Sequence, residues 1–263
     1  MKTRFLQAIL VSVLIIACGF WFTGCCCCKK QATKEPAQTV KPEAKNQQTS
    51  EQKPQQSAQP TTQVKQEGMT QTKKEDDGGW EPMFDGQTLY GWEVINYPGK
   101  GEVTVKDGQI ILGMGYMTGI RWTNEPPRMN YEVEYEAMRV DSTDFFGSLT
   151  FLVNTNPCTF ILGGWGGGTV GISSLDDMDA SENETSKFMN FENGKWYKVR
   201  VRVTESKIQV WINNEKIIDV VHKGRKVSLR PGDIELSAPF GFSTWSTTGA
   251  LRNIRIRKVS GPE

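Results

Sequence analysis

The chain is poor in several things that would each point to a function. Its 263 residues hold a single histidine, His222, so mechanisms built on several histidines are excluded. Six cysteines are present, but Cys18 and Cys25 to Cys28 all lie near the start. The remainder keeps Cys158 alone, which rules out an internal disulfide there and reads as a small buried apolar residue beside Pro157. Acids and bases nearly cancel to a net charge of +1, so there is no basic field for a nucleic-acid partner. No stretch of the chain sustains a helical period of apolar residues, which argues against a helical fold. His222 sits beside Lys223 and near Arg225, a context that reads as surface.

The start of the chain stands apart. Lys2 and Arg4 precede an apolar run from Phe5 to Phe22, the pattern of an export signal. Two cysteines fit a lipoprotein cleavage site: Cys25, in Phe22-Thr23-Gly24-Cys25 where the polar segment begins, and Cys18, which follows Ile15-Ile16-Ala17. Cys25 is the preferred lipidation site, because lipid on Cys18 would leave an apolar segment hanging from it. An uncleaved anchor is the alternative, since about 18 apolar residues approach the length that spans a bilayer. Both readings tether the protein to a membrane of the bacterial envelope, facing the periplasm or the exterior. Residues 29–78 are Gln, Lys, Thr, Pro and Glu with almost no large apolar side chain, a composition that cannot offset the entropy of folding. A flexible linker of roughly 50 residues would reach some 40 Å.

Residues 79–263 read as one domain, strand after strand. Val103 to Gly113 places Asp107-Gly108 between two alternating runs, and Lys207 to Val221 places Asn213-Asn214 likewise; both dipeptides suit a primed hairpin turn. Asn130 to Val140, Lys195 to Val203 and Ala250 to Val259 alternate with period two. The expected fold is all-β, two stacked antiparallel sheets as a sandwich or jelly roll. On Asn130 to Val140 one face carries Tyr131, Val133, Tyr135 and Ala137, the other Glu132, Glu134 and Glu136. Rows of carboxylates can serve a glycosidase. Matching rows of Arg200 with Arg202 and Arg255 with Arg257 favour cross-strand ion pairs on a solvated face.

The stretch from Asp144 to Thr185 is the densest in signals. Ser148 to Val153 and Thr159 to Leu162 read as a strand pair around Asn-Thr-Asn-Pro, followed by five glycines around Trp165. Trp165 is either a platform for a sugar ring or a plug at the end of the core. Trp122 and Trp245 are further candidates for a cleft, with Arg121 and Arg139 able to bond sugar oxygens or to pair within the protein. Asp176, Asp177 and Asp179 crowd an acidic loop that could offer oxygens to a divalent metal such as calcium, although the EF-hand spacing is absent. The same loop could equally be solvated.

Trp80 to Val94 (WEPMFDGQTLYGWEV), the hairpins, and the closing LRNIRIRKV together resemble the bacterial 3-keto-disaccharide hydrolase domain over Trp80 to Val259. That resemblance implies a concanavalin A-like jelly roll with a carbohydrate cleft. It also implies cleavage of glycosides oxidised to a ketone at carbon 3, by removal of the carbon-2 proton and loss of the glycosidic oxygen. Such chemistry needs a base, a group that stabilises the enolate and often a divalent metal. The middle of the chain departs from the family, reading FFGSLTFLV and FILGGWGGG, so catalytic roles do not transfer by motif. The acids Asp144 and Glu184 are the candidates for the base. A glycan-binding module without chemistry is the competing expectation.

Overall fold

A computed structural model describes residues 78–260. The leader, Cys18, Cys25 and the linker up to residue 77 lie outside the described residues. Among the described residues no helix is long and apolar enough to cross a membrane.

The strands follow in chain order: β1 Glu81–Pro82, β2 Trp92–Val94, β3 Val103–Lys106, β4 Gln109–Leu112, β5 Met117–Trp122, β6 Tyr131–Asp141, β7 Phe146–Val153 and β8 Asn156–Gly164. They continue with β9 Thr169–Ser173, β10 Lys187–Phe188, β11 Trp196–Val203, β12 Lys207–Ile212, β13 Glu215–Val221, β14 Gly241–Trp245 and β15 Thr248–Lys258. Every pairing is antiparallel. Sheet I has the order β13-β12-β11-β6-β15-β4-β3, with β1 also on β15, and sheet II the order β10-β9-β8-β7-β14-β5-β2. Neighbours such as β6 and β15 are far apart in sequence, as a jelly-roll sandwich requires.

Local chemistry sets the turns. Asp107 and Gly108 (φ 52° and 74°) join β3 to β4, and Asn213 and Asn214 (φ 50° and 70°) join β12 to β13. Two successive positive φ values are the primed geometry whose twist matches paired strands. Between the sheets lies one apolar core. Tyr131, Val133, Tyr135 and Ala137 of β6 face it and are fully buried, as are Leu149, Phe151, Phe160 and Phe242 from sheet II. Each such side chain contributes about 1.5–3 kcal/mol through burial. The two tyrosine hydroxyls donate across to sheet II, Tyr131 to the Leu152 carbonyl at 2.6 Å and Tyr135 to that of Gly147 at 3.0 Å. Cys158 is buried in the same core, and that burial pushes its thiol well above the ordinary range.

The glutamate row occupies the outer face of sheet I, flanked on both sides by bases. Glu132 stands opposite Arg202 and Arg257, Glu134 opposite Arg200 and Arg255, and Glu136 opposite Lys198 and Arg252. The ion pairs include Arg257–Glu132 at 2.5 Å, Arg255–Glu134 at 2.6 Å and Arg252–Glu136 at 2.7 Å. This face is less solvated than expected, because Glu132 is entirely covered by its arginines. His222 likewise differs from its surface expectation. It is buried, and its Nε2–H donates to the Thr204 carbonyl at 2.9 Å, so a hydrogen bond to main chain replaces water.

Candidate functional site

A recess forms on the outer face of sheet II because the side chains there are small. Gly119, Gly171 and Gly241 point outward beside Ser148, Thr150, Thr159 and Ser243. A Cβ on Gly171 would lie 2.7 Å from the Ala180 carbonyl, and one on Gly241 2.8 Å from that of Ser237. These positions let two loops rest directly on the sheet. Hydroxyls fasten the second loop: Thr150 Oγ1 lies 2.6 Å from Ser237 Oγ and 2.9 Å from Thr159 Oγ1. Tyr97 is tied to Ser243 at 2.9 Å, and its hydroxyl is pushed up to about 12 by burial. The uncovered space is a cavity of about 490 Å3.

Thr159 and Ile161 of β8 and Ser173 of β9 line the sheet side of that cavity. Trp245 lines it with Tyr116, the two ring centres 4.3 Å apart, above a small apolar cluster of Ile95, Tyr97 and Met117. Trp165 lines another part and is 45% exposed, so its ring is a surface rather than a core plug. Its loop is held just after the ring, at Gly166 and Gly167. Asp144 accepts the Phe145 N–H at 2.8 Å with one carboxylate oxygen and the Gly166 N–H at 3.0 Å with the other. Beneath the loop the buried Arg139 donates to the carbonyls of Thr143 (2.9 Å), Gly167 (3.3 Å) and Phe191 (2.5 Å) and to Asn193 Oδ1 (2.7 Å). Gly167, at φ 115°, has no room for a Cβ, which would stand 2.1 Å from the Thr143 carbonyl.

Three carboxylates and one guanidinium share the lining: Asp144, Asp179, Asp233 and Arg230. Asp179 accepts from Ser173 Oγ at 2.5 Å and the Ala180 N–H at 2.8 Å, and pairs with Arg230 at 2.8 Å. Arg230 in turn lies 5.8 Å from the Trp165 ring. The side chain of Asp233, in the first turn of the 3-10 segment Asp233–Ser237, makes no hydrogen bond or ion pair among the described residues. Its carboxylate is therefore the one in the cavity whose oxygens are uncommitted.

Of the residues expected at a site, the structure brings Asp144, Asp179, Trp165 and Trp245 together. Glu184 and Asp176 instead clasp Arg225, whose hydrogen bonds hold both carboxyls below their usual range, and Asp177 pairs with Lys226 at 2.6 Å. Trp122 packs edge-on against Trp92 at 4.9 Å, turned to the core, where Gly91 makes room for its ring. Arg121 pairs with Glu93 at 2.5 Å, and Arg139 serves the main chain. The expected calcium loop does not fit a metal: the oxygens of Asp176, Asp177 and Asp179 are engaged by Arg225, Lys226 and Arg230, and no group of three His, Cys, Asp or Glu among the described residues could hold one. Reasoning from sequence missed Tyr116, Arg230 and Asp233. The only local signal was Arg230-Pro231-Gly232-Asp233, a turn that places opposite charges on either side of Pro-Gly.

A family model described as a 3-keto-alpha-glucoside-1,2-lyase-like domain matches residues 79–257. Among solved structures, a candidate glycosyl hydrolase from Parabacteroides distasonis is 16% identical, covering 72% of this chain and 98% of that one, with a TM-score of 0.45. The carbohydrate-binding module CBM66 from Bacillus subtilis is 15% identical over 64% of this chain and 96% of its own, with a TM-score of 0.46. Domain 4 of an extracellular arabinanase from Geobacillus stearothermophilus, solved with arabinotriose, is 15% identical over 64% and 82%, with a TM-score of 0.43. None of the curated proteins matches the chain.

Proposed function

Because this chain belongs to the 3-keto-alpha-glucoside-1,2-lyase-like family, we propose that the cavity on sheet II cleaves glycosides carrying a ketone at carbon 3. The observation that carries this reading is one lining shared by aromatic rings, an uncommitted carboxylate and a guanidinium: Trp165, Trp245, Asp233 and Arg230. Sugar rings present apolar C–H faces that stack on indoles. The ketone acidifies the carbon-2 hydrogen. Asp233 takes that proton, the C2–H electron pair passes onto the carbon-3 oxygen as an enolate and returns to form the C1–C2 double bond, and the C1–O pair leaves on the glycosidic oxygen, which takes a proton from water. Arg230 stands ready to offset the negative charge that builds on the carbon-3 oxygen. Asp144 is the second candidate for the base, but both its oxygens already accept main-chain N–H groups, one of them the Gly166 N–H beside Trp165. Those commitments, and the similar ones of Asp179, favour the second reading, a glycan-binding module without chemistry.

The test is incubation of the full chain with a 3-keto disaccharide and with its unoxidised parent, following sugar release. Release from the keto sugar alone, lost in Asp233→Asn and retained in Asp144→Asn, supports the assignment. Loss only in Asp144→Asn moves the base to Asp144. Saturable binding without release establishes the module instead.

We extend the proposal to location: lipid on Cys25 anchors the chain, and residues 29–78 space the domain from the membrane. Labelled palmitate incorporated into the chain and lost in Cys25→Ser tests this, whereas loss in Cys18→Ser would move the anchor to Cys18.

A further inference from the structure

The outer face of sheet I has no part in the cavity, and its charge is lopsided. Lys198, Arg200 and Arg202 of β11 and Arg252, Arg255 and Arg257 of β15 flank only Glu132, Glu134 and Glu136 of β6 between them. Six bases meet three acids, a surplus of three positive charges in one patch. The acids also lie beneath most of the bases: their side chains are 0%, 11% and 23% exposed, against 26% to 41% for every base but Arg202, at 12%. The same two-to-one arrangement recurs beside it, where Lys207 and Lys216 both close on Asp219 at 3.0 Å and 2.8 Å.

This surface is ordered before any ligand arrives. Arg200 stacks on Trp211 and Arg252 on Trp196, each with the guanidinium 4.0 Å from the ring centre, while Arg255 and Arg257 lie over Trp80 at 4.8 Å and 4.5 Å. Arg252 and Arg255 are fixed further by one and two hydrogen bonds to glutamate, and a guanidinium has five N–H donors, so both keep donors for another anion. Along each strand the bases repeat about every 7 Å, and the two rows stand roughly 10 Å apart, on either side of β6. We infer that this face binds a linear acidic polysaccharide, one whose rings carry carboxylates. Planar guanidiniums match carboxylates in pairs. A bilayer is the poorer occupant, because the indoles that would enter it are covered by arginines.

The test is binding of the full chain to polygalacturonate, to neutral dextran and to vesicles of phosphatidylglycerol, with near-ultraviolet circular dichroism to confirm that each variant is folded. Lys198→Gln with Arg252→Gln removes two charges while Glu134 keeps Arg255 and Glu136 keeps Asn253. The expected result is binding to polygalacturonate but not dextran, weakened about tenfold in the double variant and lost as salt rises from about 20 to about 200 mM. The control Lys226→Gln, after β13 and paired with Asp177 of the acidic loop, should bind like the parent. Absence of binding at low salt, binding indifferent to the double variant, or variant-sensitive binding to the vesicles in place of the polysaccharide would each overturn the inference.

Discussion

The two outer faces of this sandwich are built on opposite plans over one shared core. Sheet I is finished by its own side chains: long arginines and lysines fold over glutamates and tryptophans and leave little for loops to cover. Sheet II is finished by other parts of the chain. Many of its central outward positions are glycine, serine and threonine, so the loops around Ala180 and Ser237 settle directly on it, and a cavity remains between them. Long side chains fill a face and make it a charged plane, whereas short ones hand the face to loops, which can leave a recess with converging groups.

The comparison is most severely tested at Glu132, which is covered completely and paired with three arginines. Glu132→Gln leaves those cations without their shared anion and is expected to destabilise the fold by about 3 kcal/mol, read from urea unfolding. Asp144→Asn, on the loop-built face, should cost only about 1 kcal/mol in the same measurement, because an amide oxygen still accepts one of the two main-chain N–H groups and the other can turn to water. Equal losses would show that the two faces do not differ in how they support the fold.

Acid should separate the faces next. Glu136 is raised by its partial burial, but hydrogen bonds from Asn253 and Arg252 outweigh this and hold it below its ordinary value. Asp219 is held well down, chiefly by its hydrogen bond from Lys216. A carboxyl depressed in the folded state adds stability above its unfolded pKa and loses it as pH falls through the folded one. The unfolding midpoint should therefore be flat from about pH 7 to 5 and fall below about pH 4. Replacing Glu136 and Asp219 by their amides should blunt that fall, and an unchanged profile would break the link to sheet I.

Trp165→Ala should weaken binding of the cavity's glycoside about tenfold, measured by calorimetry, with little change in the unfolding midpoint, because the ring is exposed and its loop is held by Asp144 and Arg139. The smallest effect expected is none: calcium should not shift thermal unfolding, since the acidic loop is neutralised by Arg225, Lys226 and Arg230. A rise in midpoint would show that those ion pairs open to admit the metal.

Much of this was legible in the residues alone. The hairpins at Asp107-Gly108 and Asn213-Asn214 are local, because two adjacent residues able to hold positive φ determine the turn. Alternation on β6 and β11 separated core from surface and matched acids to bases before any pairing was known. Period-two alternation without any sustained helical period carried the all-β expectation, and the family motifs at both ends of the domain added the jelly roll. Trp122 shows where this stops. Alternation says that Trp122 and Arg121 face opposite ways but not which face is the cleft, and the indole turned inward onto Trp92. Glu184 and Asp144 were equivalent as acids, yet Arg225, 41 residues from Glu184, claimed the first. Asp233 carried no signal by itself, since a carboxylate in a turn is ordinary until its neighbours across the sheet are known.

What the sequence by itself determined is the class of fold, the turns, the buried rows and the rows of opposite charge that sheet I sets side by side, all set by residues adjacent in the chain or by period two. Only the tertiary structure decided which aromatic and acidic side chains share a cavity, because that depends on how far loops from distant parts of the chain descend onto sheet II. Gly171 and Gly241 permit the descent by lacking a Cβ, and the loops they admit bring Arg230 and Asp233 to Trp165.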